Sequence, residues 1–187
     1  LTLKKLHFKL EFTSEKGLPM LKYETLKKDE IKEASQLAAR AYFDYIYITI
    51  FFPGVKERQR GLARFLAINR KGNFKGSHML TARLDGRMVA EAALEPPGYK
   101  QPSVLKFILS GYLKMYFLTN WKHLHSFIAK DQEAGTPCHD YQKNNPHVWY
   151  LSMIEVDPLF HNQGIGTEFL SYLEDYVRRH GGKTMVL

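Results

Sequence analysis

The stretch from Trp149 to Gly182, WYLSMIEVDPLFHNQGIGTEFLSYLEDYVRRHGG, leaves the chain few choices of local structure. From Trp149 to Val156 almost every residue is apolar, whichever face it falls on, as in a strand covered on both sides. Asp157-Pro158 ends that strand, because proline has no N–H for a ladder and fixes its own φ. Beyond Gly164-Ile165-Gly166-Thr167 the period changes. Ile165, Phe169, Leu173 and Tyr176/Val177 recur at three- and four-residue steps, so one face of a helix is apolar. Glu168 in the first turn and Arg178, Arg179 and His180 in the last suit the helix dipole. Glu174 with Arg178, and Asp175 with Arg179, are i,i+4 pairs in the favourable order. Gly181-Gly182 supplies a left-handed stop.

A strand that turns into a helix through two glycines presents the free N–H groups of the first helical turn. Without side chains at Gly164 and Gly166, a phosphate or pyrophosphate can approach that backbone closely. Glycines kept for tight helix–sheet packing read equally well from this pattern. The spacing excludes two familiar phosphate sites: there is no G-x-G-x-x-G with a ribose acid after it, and no Gly-Lys-Ser/Thr.

The run MIEVDPLFHNQGIGTEFL resembles the acetyl-CoA signature of the GNAT N-acetyltransferase superfamily: strand, V-x-P, then Q/R-x-x-G-x-G/A opening a helix. His161 stands where that pattern has Gln or Arg, a departure, and the backbone part of the motif is intact. The resemblance implies that Ile154, Glu155 and Val156 line the pantetheine and thioester of acetyl-CoA. It implies that Asn162, Gln163, Gly164, Ile165, Gly166 and Thr167 hold the pyrophosphate. Glu155 is the carboxylate nearest the expected thioester and is the candidate general base, with Ser152, Glu91 or a residue outside this sequence as alternatives.

The other parts of the 187-residue chain carry their own local signals. Leu3, Leu6, Phe8, Leu10 and Phe12 alternate with lysines in a strand-like pattern that lacks the apolar core of a secretory signal, and Met20 is a candidate natural start. Leu21 to Leu26 reads as a strand. Asp29 is expected to cap a helix with Ile31, Ala34, Ala38, Ala41 and Tyr45 on its apolar face. After Phe52-Pro53-Gly54, a second helix runs from Val55 to Ile68 with Leu62, Phe65 and Leu66 inward. His78–Arg83 and Met88–Leu94 are strands joined across Asp85-Gly86, a hairpin pair that tolerates positive φ. Glu91 within the third strand is expected to be solvated or salt-bridged.

Residues 96–146 are far more than a hairpin needs. Val104 to Ile128 carries an apolar, aromatic-rich helical pattern that includes Tyr112, Tyr116 and Trp121. Lys106 and Lys114 interrupt it, so no membrane span is expected. As an insertion it would wall the acceptor pocket or pack in the core or an oligomer contact. The segment GTPCHDYQKNN reads as a polar loop holding Cys138. That single cysteine excludes an internal disulfide and fits a reducing, cytoplasmic setting. His123 and His125, at i,i+2, point apart on a helix, so no metal site is expected. The net charge of +8 suits an anionic cosubstrate, and without a dense Lys/Arg block it disfavours nucleic acid.

The expected fold is α/β: one GNAT-like domain over residues 1–187, a mixed β-sheet flanked by helices. It has a helical insertion at 96–146 between the third and fourth strands, and a C-terminal end that stops short of the family's last helix and strands. The expected function is N-acetyl transfer from acetyl-CoA to a primary amine of a small-molecule or peptide acceptor. A non-catalytic acyl-CoA-binding module and a basic nucleic-acid-binding domain are the alternatives.

Overall fold

The computed structural model describes residues 20–187; the alternating segment before Met20 lies outside the described residues. Five strands form one sheet in sequence order: β1 (Lys22–Thr25), β2 (His78–Leu84), β3 (Arg87–Glu95), β4 (Val148–Val156) and β5 (Thr184–Val186). The first four are antiparallel neighbours, and β5 runs parallel to β4 from Val148↔Thr184 to Tyr150↔Val186. The β2–β3 turn places Asp85 at φ 50° and Gly86 at φ 79°, the paired left-handed conformation that Asp-Gly permits. Between Ala93↔Met153 and Leu94↔Leu151 the register slips, so Ser152 is an extra residue in β4. Its hydroxyl donates to the Ala93 carbonyl at 3.3 Å and the residue stays exposed.

Helices cover both faces. α6 (Ile165–Arg179) buries Phe169, Leu173 and Val177 against Leu80, Val89, Trp149 and Leu151, completing the periodicity read from its sequence. On the opposite face, α1 (Ile31–Ala41) sets Ile31, Ala34 and Leu37 against Met79, Met88 and Ala93. The start of α1 differs from expectation. A single 3-10 turn, Lys28–Glu30, precedes it, and Glu30 rather than Asp29 reaches back to the Lys27 N–H at 2.9 Å. Tyr45, expected on the apolar face, is exposed, because the helix ends at Ala41 and α2 (Ile46–Phe51) begins after it.

α3 (Val55–Asn73) extends a turn beyond the predicted Ile68, and that added turn carries Arg70 into the core. The insertion is not the single helix expected between Val104 and Ile128. α4 (Val104–Leu109) stops at Gly111, whose φ of 103° ends the helix, and a 3-10 segment, Tyr112–Phe117, follows. α5 (Trp121–Asn144) restarts where the Asn120 side chain accepts the Lys122 N–H at 2.9 Å. It runs on through Pro137, so Cys138 lies on a helix rather than in a loop. Pro137 removes one intrahelical bond. The end of α5 is held instead by buried Gln142, whose amide nitrogen reaches the carbonyls of Glu95 (2.9 Å), Pro96 (3.1 Å) and Val148 (3.1 Å). Ile48, Phe52, Leu62, Leu66, Met115, Leu124 and Phe127 knit α2, α3 and the insertion together. No helix among the described residues is long and apolar enough to cross a membrane.

Candidate functional site

The end of β4 is fixed by Asp157, which the sequence reading treated only as a stop. Its carboxylate is buried, accepts from Arg40 Nη2 at 2.6 Å and Arg87 Nη2 at 3.2 Å, and caps the Leu159 N–H at 3.1 Å. Burial opposes its ionisation. Arg40, the Leu159 N–H and Arg87 outweigh burial and hold the carboxyl below its ordinary range. The chain then makes a 3-10 turn, Pro158–Phe160, and reaches Asn162 at φ 61° and Gly164 at φ 79°. Gly164 is the N-cap of α6, and a glycine cap has no side chain to occupy the helix end. The Glu168 N–H makes the first helical bond, to the Gly164 carbonyl at 3.0 Å. The N–H groups of Ile165, Gly166 and Thr167 precede it and have no intrahelical partner.

An open cleft of ≈ 430 Å³ lies at this helix end, lined by Val156, Phe160, His161, Asn162, Gly164, Ile165, Gly166 and Thr167. Of the predicted cofactor residues, six come together here: Val156, Asn162, Gly164, Ile165, Gly166 and Thr167. Ile165 faces inward as part of the core, so its contribution to the rim is backbone. Gln163 stands outside the lining, with its amide 3.4 Å from the Leu159 carbonyl. His161 places Nε2 3.1 Å from the Val156 carbonyl, so the imidazole braces the strand-to-loop corner. A Cβ at Gly166 would meet only Val156 Cγ2, at 3.6 Å, so the glycine is not required by packing within the protein.

Ile154 and Glu155 lie further back along β4, on opposite faces. Ile154 packs toward α6, and Glu155 projects under α1 and α3. Glu155 is 4% exposed and joins a buried triad with Arg70 and Glu91, both 0% exposed. Arg70 Nε lies 2.9 Å from both oxygens of Glu91, its Nη2 lies 2.5 Å from Glu91 Oε2, and Nη2 also donates to Glu155 Oε1. Glu91 is thus salt-bridged, and the alternative of a solvated side chain is corrected. One guanidinium faces two carboxyls. Burial and the neighbouring Glu91 outweigh Arg70 and raise Glu155 well above the ordinary carboxyl range. The Tyr42 hydroxyl is the donor here, shared between Glu155 Oε2 at 3.2 Å and the Ile154 carbonyl at 3.1 Å. Every polar group of the triad is then satisfied.

The sequence reading missed Arg70, although its position carried a signal. Leu62, Leu66 and Arg70 are four residues apart on the inward stripe of α3, and two strand glutamates needed a partner.

A family model described as the acetyltransferase (GNAT) family matches residues 67–187. The chain belongs to the acetyltransferase (GNAT) family. Solved structures share the fold. A histone acetyltransferase HPA2 and related acetyltransferase from Corynebacterium glutamicum is 11% identical, with a TM-score of 0.57 over 83% of this chain and 71% of that one. A GNAT family acetyltransferase from Brucella melitensis in complex with acetyl-CoA is 13% identical, covering 89% of this chain and 74% of that one with a TM-score of 0.48. A ribosomal-protein-alanine N-acetyltransferase from Brucella melitensis biovar Abortus 2308 is 13% identical, covering 90% and 79% with a TM-score of 0.49. No curated protein matches the sequence. Within the family frame, the glycine-capped start of α6 is the residue run 162–167 on which the resemblance rests.

Proposed function

We propose that this GNAT chain transfers an acetyl group from acetyl-CoA to a primary amine of a small-molecule or peptide acceptor. The observation that carries the reading is the open, side-chain-free N-terminus of α6 at the end of β4. An uncapped helix start with free N–H groups and the positive end of its dipole suits a pyrophosphate. In this reading the backbone of Gly164, Ile165, Gly166 and Thr167 takes the pyrophosphate, with Asn162 at the turn and Gln163 just outside. Val156, Glu155 and Ile154 set the course of the pantetheine along β4.

Holding amine and thioester together removes much of the entropic barrier, and backbone N–H groups of β4 polarise the carbonyl. Glu155, the base candidate by position, enters the reading in a different role. Enclosed by Arg70 and Tyr42, it fixes the hydroxyl that grips the Ile154 carbonyl and so holds β4 straight at the thioester. The single Cys138 takes no part, consistent with action in a reducing cytoplasm.

Two measurements test the reading on the wild-type protein. Acetyl-CoA at a hundred times its dissociation constant should stabilise the fold by about 2.7 kcal/mol, read as a rise in Tm. Thiol release from acetyl-CoA should then depend on n-butylamine, spermidine or a peptide with an N-terminal alanine. A Tm unmoved by millimolar acetyl-CoA overturns the reading. A rise in Tm with no amine-dependent thiol release reduces the protein to a binding module.

A further inference from the structure

Glu95 ends β3 opposite Tyr150, on the sheet face that also carries Glu91 and Glu155. It is 8% exposed, and its Oε2 has no hydrogen-bond partner among the described residues. Among the described residues no Lys or Arg pairs with it. His139 Nδ1 of α5 is 3.7 Å away, beyond hydrogen-bond reach, and burial lowers the affinity of that imidazole for a proton, with Lys143 adding to the effect and Asp140 opposing it. Tyr99 stacks on the His139 ring at 6.3 Å, and Tyr150 meets it edge-on at 5.2 Å, so the carboxyl sits among aromatic rings. Asp131, exposed on α5, adds a second negative group at the rim. Burial first, then Asp131, push the Glu95 carboxyl up to about 7.

A buried carboxyl with a free oxygen and no counter-ion is costly to keep for structure alone. Its neighbourhood shows a use. Ser152, the bulged residue near it, is exposed two residues after Tyr150, the last residue of β4 paired with β5. Beyond that point β4 pairs only with β3 among the described residues, and this is the part of the strand that leads to the glycine cleft.

We propose that Glu95 is the proton acceptor for the attacking amine, receiving a primary ammonium that enters past Asp131 between α5 and the sheet. The assignment rests on the acetyl-transfer reading. The ammonium first gives one proton to the Glu95 carboxylate, which passes it to water. The lone pair so freed forms the C–N bond to the thioester carbonyl carbon, the C–S bond breaks with its electrons leaving on sulfur, and the second nitrogen proton ends on that sulfur as the CoA thiol. Glu155 cannot serve in this way, because its oxygens are taken by Arg70 and Tyr42. Among the described residues, Glu95 combines a free oxygen with a proton affinity near neutrality, which general-base catalysis requires.

The experiment compares wild type with Glu95→Gln in steady-state thiol release, using acetyl-CoA and n-butylamine from pH 5.5 to 9. Wild-type rate should rise with pH through about 7. Glu95→Gln should lose on the order of a hundredfold in kcat and lose that rising limb. Its KM for acetyl-CoA and the acetyl-CoA-induced rise in Tm should stay as in wild type. A variant within threefold of wild type that keeps the limb overturns the assignment while leaving acetyl transfer standing; absent thiol release in wild type overturns the function itself. Should Glu95→Gln not fold, ¹³C-carboxyl NMR of glutamate-labelled wild type decides. The carboxyl titrating near neutrality should titrate lower when n-butylamine is added, and an unmoved titration overturns the proposal.

Discussion

The Arg70 triad and the Glu95 carboxyl share one face of one sheet and solve the burial of charge in opposite ways. At the triad, one guanidinium, two carboxyls and a tyrosine hydroxyl satisfy one another, and no polar atom is left for a ligand. At Glu95 an oxygen is left open under α5, and at the start of α6 three backbone N–H groups are left open over the cleft. Burial alone therefore does not mark a reactive group. The missing partner does.

The largest effect should come from breaking the closed constellation. Arg70→Met leaves two buried carboxyls without their cation and should cost about 3–5 kcal/mol. Chemical denaturation at pH 7 measures it. The comparison sharpens if Glu91→Leu and Glu155→Leu are added, since an apolar replacement of the whole triad should recover most of the loss. A single Arg70→Met variant as stable as wild type would show that the two carboxyls do not depend on the guanidinium.

The open carboxyl should show itself in the pH dependence of stability. Glu95 rises from 4.5 to about 7 on folding, so the folded state binds its proton more tightly than the unfolded chain. Its contribution is intact below the unfolded value and is lost as pH rises through about 7. The loss is on the order of 3 kcal/mol between acid and mildly alkaline solution. Glu155 is shifted in the same direction, so wild type should weaken toward alkali from both groups. Glu95→Gln should flatten the curve by its own share only. An unchanged slope would return Glu95 to the class of satisfied groups.

These two regions also differ in how far they could be read from residues alone. The strand-to-helix segment was legible because its signals are local: an apolar run, Asp157-Pro158, a glycine cap and a four-turn stripe ending at Gly181. The hairpin at Asp85-Gly86 was legible for the same reason. The insertion was misread because its breaks depend on single residues inside an apolar pattern. Gly111 interrupts it, Asn120 restarts it, and Gln142 rewards a helix that carries through Pro137. The buried charges were legible only in part. Glu91 in a strand suggested an ion pair, but its partner lies on another element, and no periodicity names a tertiary partner. Glu95 lies just past the strand expected at Met88–Leu94, and nothing local tells an enclosed carboxyl from an exposed one.

At the cleft, the comparison can be pressed by filling the open space. Gly166→Val adds a side chain where only Val156 is near, so stability should change by a few tenths of a kcal/mol. Acetyl-CoA affinity should fall at least tenfold, about 1.4 kcal/mol, by steric exclusion. Gly164→Ala should show the opposite balance, because φ of 79° strains any side chain by about 1 kcal/mol while little protrudes into the cleft. Calorimetric titration beside thermal unfolding on both variants separates the two costs. A Gly166→Val protein that binds acetyl-CoA as wild type does would remove the pyrophosphate from this helix start.

The smallest effect belongs to Tyr42, where the closed constellation touches the strand that the open sites serve. Its hydroxyl lies between Glu155 Oε2 and the Ile154 carbonyl, and burial together with Glu155 makes the phenol hold its proton more tightly than usual. Tyr42→Phe keeps the ring and removes both contacts, which should cost about 1 kcal/mol. Glu155 Oε2 then loses its hydroxyl donor, so the cost should grow at a pH high enough to ionise it. With the Ile154 carbonyl released, β4 loses its grip at the thioester, and kcat should fall several-fold while the KM for acetyl-CoA, held mainly at the α6 cleft, stays near wild type. The pair of readouts is decisive for the comparison. A loss in stability with unchanged kcat would confine the triad to holding the fold together, whereas a fall in kcat makes the closed site the brace against which the open ones work.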